Sequence, residues 1–291
     1  MIHRDKDKFS KLVDRIASLT GFYAPLMEKD YYLTLFLSKI NELSDNLIFK
    51  GGTCLNKIYY SYYRLSEDLD FSMRLPDYTT TRGNRRKCIQ PVKDNIEEFA
   101  KQFDMRIEGA ENAGRNVSKQ YVYYLVYDSV LLPSLQTIKF EVGLRYNPIL
   151  KPETKEVKHK FLNPFSDVPL FDGGKVNCLS LQEIVSEKLR AAAIRKTIAP
   201  RDFYDLDFII RQGFNLTDKK VLKLFAKKIE EDNGDPDLAK YKTNLGRSDK
   251  EIKEMNSRIE NELFDVLTVS EREHFDLDTA LKRINKVMGK I

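Results

Sequence analysis

Two aspartates one residue apart, Asp68 and Asp70, stand in the run "DLDFSM", which otherwise alternates as a β-strand should. Positions i and i+2 of a strand point to the same face, so the two carboxylates lie close together and repel. A divalent cation removes the conflict. A carboxylate pair that leaves metal positions open to phosphate oxygens is the usual way Mg²⁺ is held where phosphoryl groups are transferred. Upstream, Gly51-Gly52 lets the backbone approach a ligand closely, and a helix read from Thr53 to about Tyr63 offers N–H donors and a favourable dipole to a triphosphate tail. The competing account is a tight turn followed by a solvated surface strand. It needs separate explanations for the glycine pair, Thr53, Arg64, Ser66 and both aspartates.

The rest of the chain can build a fold around such a site. Its 291 residues are 42% apolar, with 17 Phe and 15 Tyr, enough for one large or two smaller cores. Apolar runs such as Tyr121 to Val126 fall far short of the roughly 20 residues of a membrane span. The opening "MIHRDKDKF" leads into no apolar stretch, so no membrane partner and a cytoplasmic location are expected. Three scattered cysteines, Cys54, Cys88 and Cys178, supply neither a disulfide framework nor a zinc site. His3, His159 and His274 are read as surface residues. Lys plus Arg exceed Asp plus Glu by 49 to 44, a surplus compatible with a polyanionic partner. It is concentrated at Arg82 to Lys87, Lys151 to Lys160 and Asp218 to Lys228; solvated loops and helix faces are the alternative for each.

The periodicity predicts a mixed α/β first half. Helical spacing covers about Lys8 to Leu43, "LIF" (Leu47 to Phe49) reads as a buried strand, and Pro91 fits the first turn of a helix running to Phe103. Strands follow at Met105 to Ile107, Tyr121 to Tyr127 and Gln136 to Arg145. From about Ser180 the pattern becomes helical, with Ser180 and Glu183 in capping-box spacing. Further helices are expected at Arg201 to Arg211, Asp218 to Glu231, Asp249 to Leu267 and Leu277 to Met288, with "EEDNGDPDLAKY" a loop. The expected division is residues 1–178, a catalytic α/β domain with a mixed sheet, and residues 179–291, a mainly α-helical domain.

The stretch "FKGGTCLNK…YRLSEDLDFS" resembles the signature of the AbiEii-type nucleotidyltransferases, toxins of bacterial AbiE and MenT-like toxin–antitoxin systems within the polymerase-β-like superfamily. Fourteen residues separate Thr53 from Asp68, and threonine after the glycine pair and Arg-x-Ser before the acids match the AbiEii type. "EKDYYLTLFL" (Glu28 to Leu37) and "EIVSEKLRAAAIRKTIAPRDFYDL" (Glu183 to Leu206) extend the similarity over roughly residues 25 to 210.

The resemblance implies a polymerase-β-like nucleotidyltransferase domain with Asp68, Asp70 and a third carboxylate, Glu141 in "IKFEVGLR", as catalytic groups and ligands of two Mg²⁺ ions. Glu141 would accept the proton of an attacking hydroxyl, with Lys139 as neighbour or salt partner; a solvent-facing glutamate is the alternative. Gly51, Gly52, Thr53, Arg64, Ser66, Lys188, Arg195, Asp202 and Asp205 would bind the nucleoside triphosphate. For Lys188 the competing reading is a solvated helix lysine, and for "PRDFYDLDF" a helix-start acid with an Arg201–Asp205 pair. The implied activity is transfer of a nucleoside monophosphate to RNA, foremost the 3′ end of tRNA. This would inhibit translation and growth in abortive infection, with an AbiEi-like antitoxin as functional partner. Transfer to a protein or small-molecule hydroxyl, and a non-catalytic nucleic-acid-binding module, remain open.

Overall fold

The structure, a computed structural model, describes residues 1–77, 79, 81–163, 165–195 and 197–289, the side chain of Thr243 excepted. The chain divides into two compact units, Met1–Leu179 and Ser180–Ile291.

In the first unit, α1 (Lys6–Thr20) starts where Asp5 accepts the Lys8 N–H and ends at Gly21, whose φ of 74° suits only glycine well. It buries Phe9, Leu12, Val13 and Ile16 at helical spacing. The following α2 (Ala24–Ser38) is buried nearly all round, and α3 (Ile40–Leu43) leads into β1 (Leu47–Lys50). Next come α4 (Gly51–Cys54), a π-helical continuation over Leu55–Tyr60, and β2 (Leu69–Met73). After α5 (Arg82–Lys101) the chain forms β3 (Arg106–Glu108), β4 (Gly114–Arg115), β5 (Gln120–Tyr127), β6 (Gln136–Gly143), β7 (Glu153–Glu156) and β8 (Lys175–Cys178).

These strands form one mixed sheet in the order β3-β5-β6-β2-β1-β8-β7, with β4 on β5. β2 runs parallel to β6 and β1 parallel to β8, while β1 and β2 are antiparallel. Leu69, Phe71 and Met73 of β2, and Ile138, Phe140 and Val142 of β6, are buried. Phe71 packs on Phe49 at 5.1 Å and on Phe140 at 5.6 Å between ring centres, and Phe140 meets Phe36 of α2 at 5.3 Å. Burying each such side chain is worth roughly 1.5–3 kcal/mol, so this layer holds the strand register. The alternate residues of β2 and β6, including Asp70 and Glu141, consequently share the opposite face.

The second unit is helical among the described residues: α6 (Leu181–Ile194), α7 (Pro200–Arg211), α8 (Lys219–Glu231), α9 (Ala239–Gly246), α10 (Asp249–Glu262), α11 (Val269–His274) and α12 (Leu277–Met288). α6 packs on α7, α8 and α9, and α12 on α7 and α9. Ser180 caps α6 by accepting the Glu183 N–H, and the Glu183 carboxylate lies 2.8 Å from Lys228.

Several sequence expectations need correction. Pro91 lies inside α5, which starts nine residues earlier because Thr81 caps the Asn84 N–H and Arg85, Ile89, Val92 and Ile96 supply a buried stripe. Asp249 to Leu267 is not one helix; it breaks after Glu262 into a short 3₁₀ turn, Phe264–Val266. The expected loop "EEDNGDPDLAKY" contains the start of α9. The sequence does not predict β7 and β8, because each has only four residues and "ETKE" of the edge strand β7 carries no apolar alternation. His3 is buried, 2.9 Å from Tyr31 Oη and 2.8 Å from Asp104, and His159 stacks on Phe171 at 4.4 Å.

Candidate active site

The chain leaves β1 at Lys50 and turns at once into α4, with Gly51 at φ 76°. A β-carbon at Gly51 would lie 2.5 Å from Asp70 Oδ2, and one at Gly52 would lie 2.7 Å from Arg64 Nη2 and 3.1 Å from Ser66 Oγ. The glycine pair is therefore required for close approach: the backbone lies directly against Asp70 on one side and against Arg64 and Ser66 on the other.

Thr53 and Arg64 do less for a ligand than expected. Thr53 is buried and its hydroxyl donates to the Asp68 carbonyl, tying α4 to the start of β2. Arg64 is buried too, donating to the Leu65 carbonyl at 2.7 Å, so both side chains position the site. Nor does the helix begin at Thr53 and run to Tyr63. It begins at Gly51, widens into the π-turn and stops where Ser61 and Tyr62 take φ of 42° and 65°.

Asp68 falls just before β2, so the strand carries Asp70 alone of the pair. Asp70 is flanked in register by Lys50 of β1 and by Glu141 of β6. Burial pushes its carboxyl up to about 6; Lys50 opposes this, and the negative charges of Glu141 and Asp68 add to it. Glu141 lies 2.6 Å from Lys139 Nζ and accepts from Gln120 Nε2 at 2.6 Å. Burial alone would lower the Lys139 pKa, but its bond to Glu141 and the fields of Glu141, Asp70 and Asp68 raise it.

Among the described residues no three acidic, histidine or cysteine side chains are drawn together as a finished metal cage. The donor set nonetheless fits a magnesium ion in chemistry. It consists of hard carboxylate oxygens, and a bound cation would offset both the burial that chiefly lifts Asp70 and the negative charges of Glu141 and Asp68 that add to it.

In the second unit, Lys188 of α6 lies 2.7 Å from Asp205 and 3.2 Å from Asp202, both on α7, and Arg195 reaches Asp202 at 2.8 Å. The sequence alternative of an Arg201–Asp205 pair gives way to this arrangement. Asp205 is fully buried and holds Lys188 in place; it offers no surface to a nucleotide. Asp202 is nearly as buried, leaving Lys188 and Arg195 as the more accessible groups.

Sequence reasoning missed one network. Lys57, in the π-turn, is fully buried, 2.7 Å from Asp30, 2.8 Å from Thr34 Oγ1 and 3.1 Å from Tyr62 Oη, while Tyr62 donates to Asp30 at 2.5 Å. Burial lowers the Lys57 pKa and raises that of Tyr62. Because Lys57 belongs to the helix that begins at the glycine pair, this ion pair anchors the site's floor to α2. The available signal was an aspartate, Asp30, directly before the apolar run "YYLTLFL".

Comparison with known proteins bears on this arrangement. The model of the nucleotidyl transferase AbiEii toxin family, type IV toxin–antitoxin system, matches residues 35–283. The fold is similar to that of MenT4, a nucleotidyltransferase toxin from Mycobacterium tuberculosis, with 17% identity, 96% of this chain and 98% of that one covered, and a TM-score of 0.61. It is also similar to JHP933 from Helicobacter pylori, with 17% identity, 92% of each chain covered and a TM-score of 0.50. No curated protein matches significantly. These structural likenesses show a shared fold, the mixed sheet with a helical C-terminal region. The family model spans most of the chain, motif and helical region alike, and on that ground the chain belongs to the AbiEii nucleotidyltransferase toxin family.

Proposed function

We propose that this nucleotidyltransferase moves a nucleoside monophosphate from a nucleoside triphosphate to a hydroxyl of RNA, foremost the 3′ end of tRNA, and thereby blocks translation and growth until a cognate antitoxin counters it. The observation that carries the reading is the register of Asp70 with Glu141, beside Asp68 and against the Gly51 backbone. In the reaction the acceptor oxygen attacks the α-phosphorus, a new P–O bond forms, the bond to the β-phosphate bridge breaks and pyrophosphate leaves. The hydroxyl proton passes to the carboxylate cluster, where Glu141 lies in register with Asp70. Glu141, oriented by Lys139 and Gln120, would accept that proton, the part the resemblance gives it. Asp68, Asp70 and Glu141 would hold Mg²⁺, which when bound supplies charge neutralisation at the triphosphate and activation of the hydroxyl. Lys188 and Arg195 supply cations for the phosphates, with Asp202 and Asp205 as their positioning groups.

The test is incorporation of label from an α-³²P nucleoside triphosphate into RNA, protein and metabolite fractions, followed by sequencing of tRNA 3′ ends from cells expressing the wild-type chain or Asp70→Ala. Extended ends only in the wild-type culture support the reading. Label confined to protein or small molecules would overturn the RNA acceptor.

A further inference from the structure

A second site lies beyond the carboxylates in the first unit. In two of the three basic clusters a cation is drawn into ion pairs. Lys228 is enclosed by Glu183, Glu187 and Glu231, and in the Lys151 to Lys160 stretch Lys155 pairs with Glu153 at 2.9 Å along β7. The third is different. Arg82, Arg86 and Lys93 recur at helical spacing along one face of α5 and line a cavity of about 270 Å³ whose far wall is residues 110–118 with Arg115. None of these four cations takes part in an ion pair among the described residues, and Glu111 is the one carboxylate in the lining. Asn112 and Asn116 add neutral amides. Arg85, one residue off the basic face, donates to the Val117 carbonyl at 3.2 Å and joins the two walls.

We propose that this cavity binds a backbone phosphate of the RNA acceptor, an assignment that rests on the RNA reading above. Its charge selects an anion. Its volume, below the roughly 300–1,000 Å³ of small-molecule sites, suits one phosphodiester better than a whole nucleoside triphosphate. Its position is suited to an acceptor because its wall leads straight to the catalytic face: Asn116 Nδ2 donates to Gln120 Oε1 at 2.8 Å, and Gln120 Nε2 donates to Glu141 Oε1 at 2.6 Å. A strand gripped at Asn116 is thus in register with the residue that orients Glu141, through two hydrogen bonds.

The experiment uses the full chain and a fluorescein-labelled single-stranded RNA oligonucleotide. RNA affinity is read by anisotropy in the Asp70→Ala background, so that no turnover is needed, and the triphosphate KM is read in the active background. Arg86→Glu/Arg115→Glu should weaken RNA binding at least tenfold and flatten the slope of log K against log salt by about 1.4, two contacts at about 0.7 each for a single strand, with the triphosphate KM unchanged. Arg86→Gln/Arg115→Gln should give a smaller loss in the same direction, and an unchanged Tm for both variants would establish that the fold is intact. Unchanged RNA affinity in the reversal variant overturns the proposal, as does a matching rise in the triphosphate KM, which would assign the cavity to the nucleotide. RNA labelled normally but bound indifferently to these substitutions removes the cavity and leaves the function standing. RNA bound through the cavity but never labelled does the reverse.

Discussion

Replacing Asp70 by asparagine tests the electrostatics of the site without asking for catalysis. Burial, together with Glu141 and Asp68 and against Lys50, holds the carboxyl at about 6 in the folded protein, where 3.8 is its ordinary value. Between those values the native state keeps a proton that the unfolded chain has released, so stability falls as pH rises through the window and the penalty is complete above about 6. Roughly two pKa units at about 1.4 kcal/mol each give about 3 kcal/mol, an upper bound because the side chain keeps some solvent access. Asparagine keeps the shape and removes the charge. Asp70→Asn should therefore stabilise the metal-free protein by up to about 3 kcal/mol near neutral pH, a Tm rise of about 6–12 °C for a domain of this size, with the gain shrinking towards zero as pH falls to about 4. Magnesium should act on the wild type alone: by binding the native state it raises the Tm of the wild type and leaves the variant nearly unmoved. Thermal denaturation followed by circular dichroism across this pH range, with EDTA or with Mg²⁺, reads all of this. A variant less stable than wild type at neutral pH, or a gain that does not change with pH, would refute the reasoning.

Gly51→Ala should abolish transfer while lowering Tm, since alanine meets Asp70 Oδ2 at 2.5 Å and sits at φ 76°, a strain of roughly 1–3 kcal/mol; wild-type turnover in this variant contradicts the close approach. Lys57→Met should cost about 3–5 kcal/mol in urea denaturation by leaving Asp30 buried without its cation, and Lys57→Met/Asp30→Leu should recover much of the loss. If the double variant is as unstable as the sum of the singles, the two residues are not coupled. Lys188→Ala should raise the triphosphate KM about ten- to a hundredfold, as expected for one charge-assisted phosphate contact of roughly 1.5–3 kcal/mol; unchanged kinetics would return Lys188 to a purely structural partner of Asp202 and Asp205.

What the sequence made legible was whatever announces itself locally. A charge at Asp70 in an alternating strand is an anomaly visible within six residues, and so is a glycine pair before a helix. Side-chain partners were not visible in that way. Thr53 reads as a phosphate contact until its hydroxyl is seen on the Asp68 carbonyl, and Arg64 until its guanidinium is seen buried on Leu65. Pro91 suits a first turn and so predicts a helix start there, although the apolar spacing of Ile89, Val92 and Ile96 already runs across it. Lys228 looks like one more cation in a basic run, and only tertiary packing brings Glu183 and Glu187 of α6 to it beside its helix neighbour Glu231.

Glu141 stands between these cases, and its placement shows how the core makes the site. It is distant in sequence from Asp70, and nothing local specifies a parallel pairing between their strands; the expectation came from resemblance alone. The pairing itself is enforced from the other face of the sheet. Phe71 sits between Phe49 and Phe140, so sliding β2 by one residue against β6 would turn Phe71 to the polar face and drive Asp70 into the aromatic layer. Losing one buried phenylalanine forfeits roughly 1.5–3 kcal/mol, and an ionised carboxylate buried without a partner costs more. The alignment of Asp70 with Glu141 is therefore held by residues that touch neither carboxylate. By the same reasoning the glycines and Lys57 complete the floor from the adjoining helix: one removes a β-carbon that would collide with Asp70, and the other fastens that helix to α2.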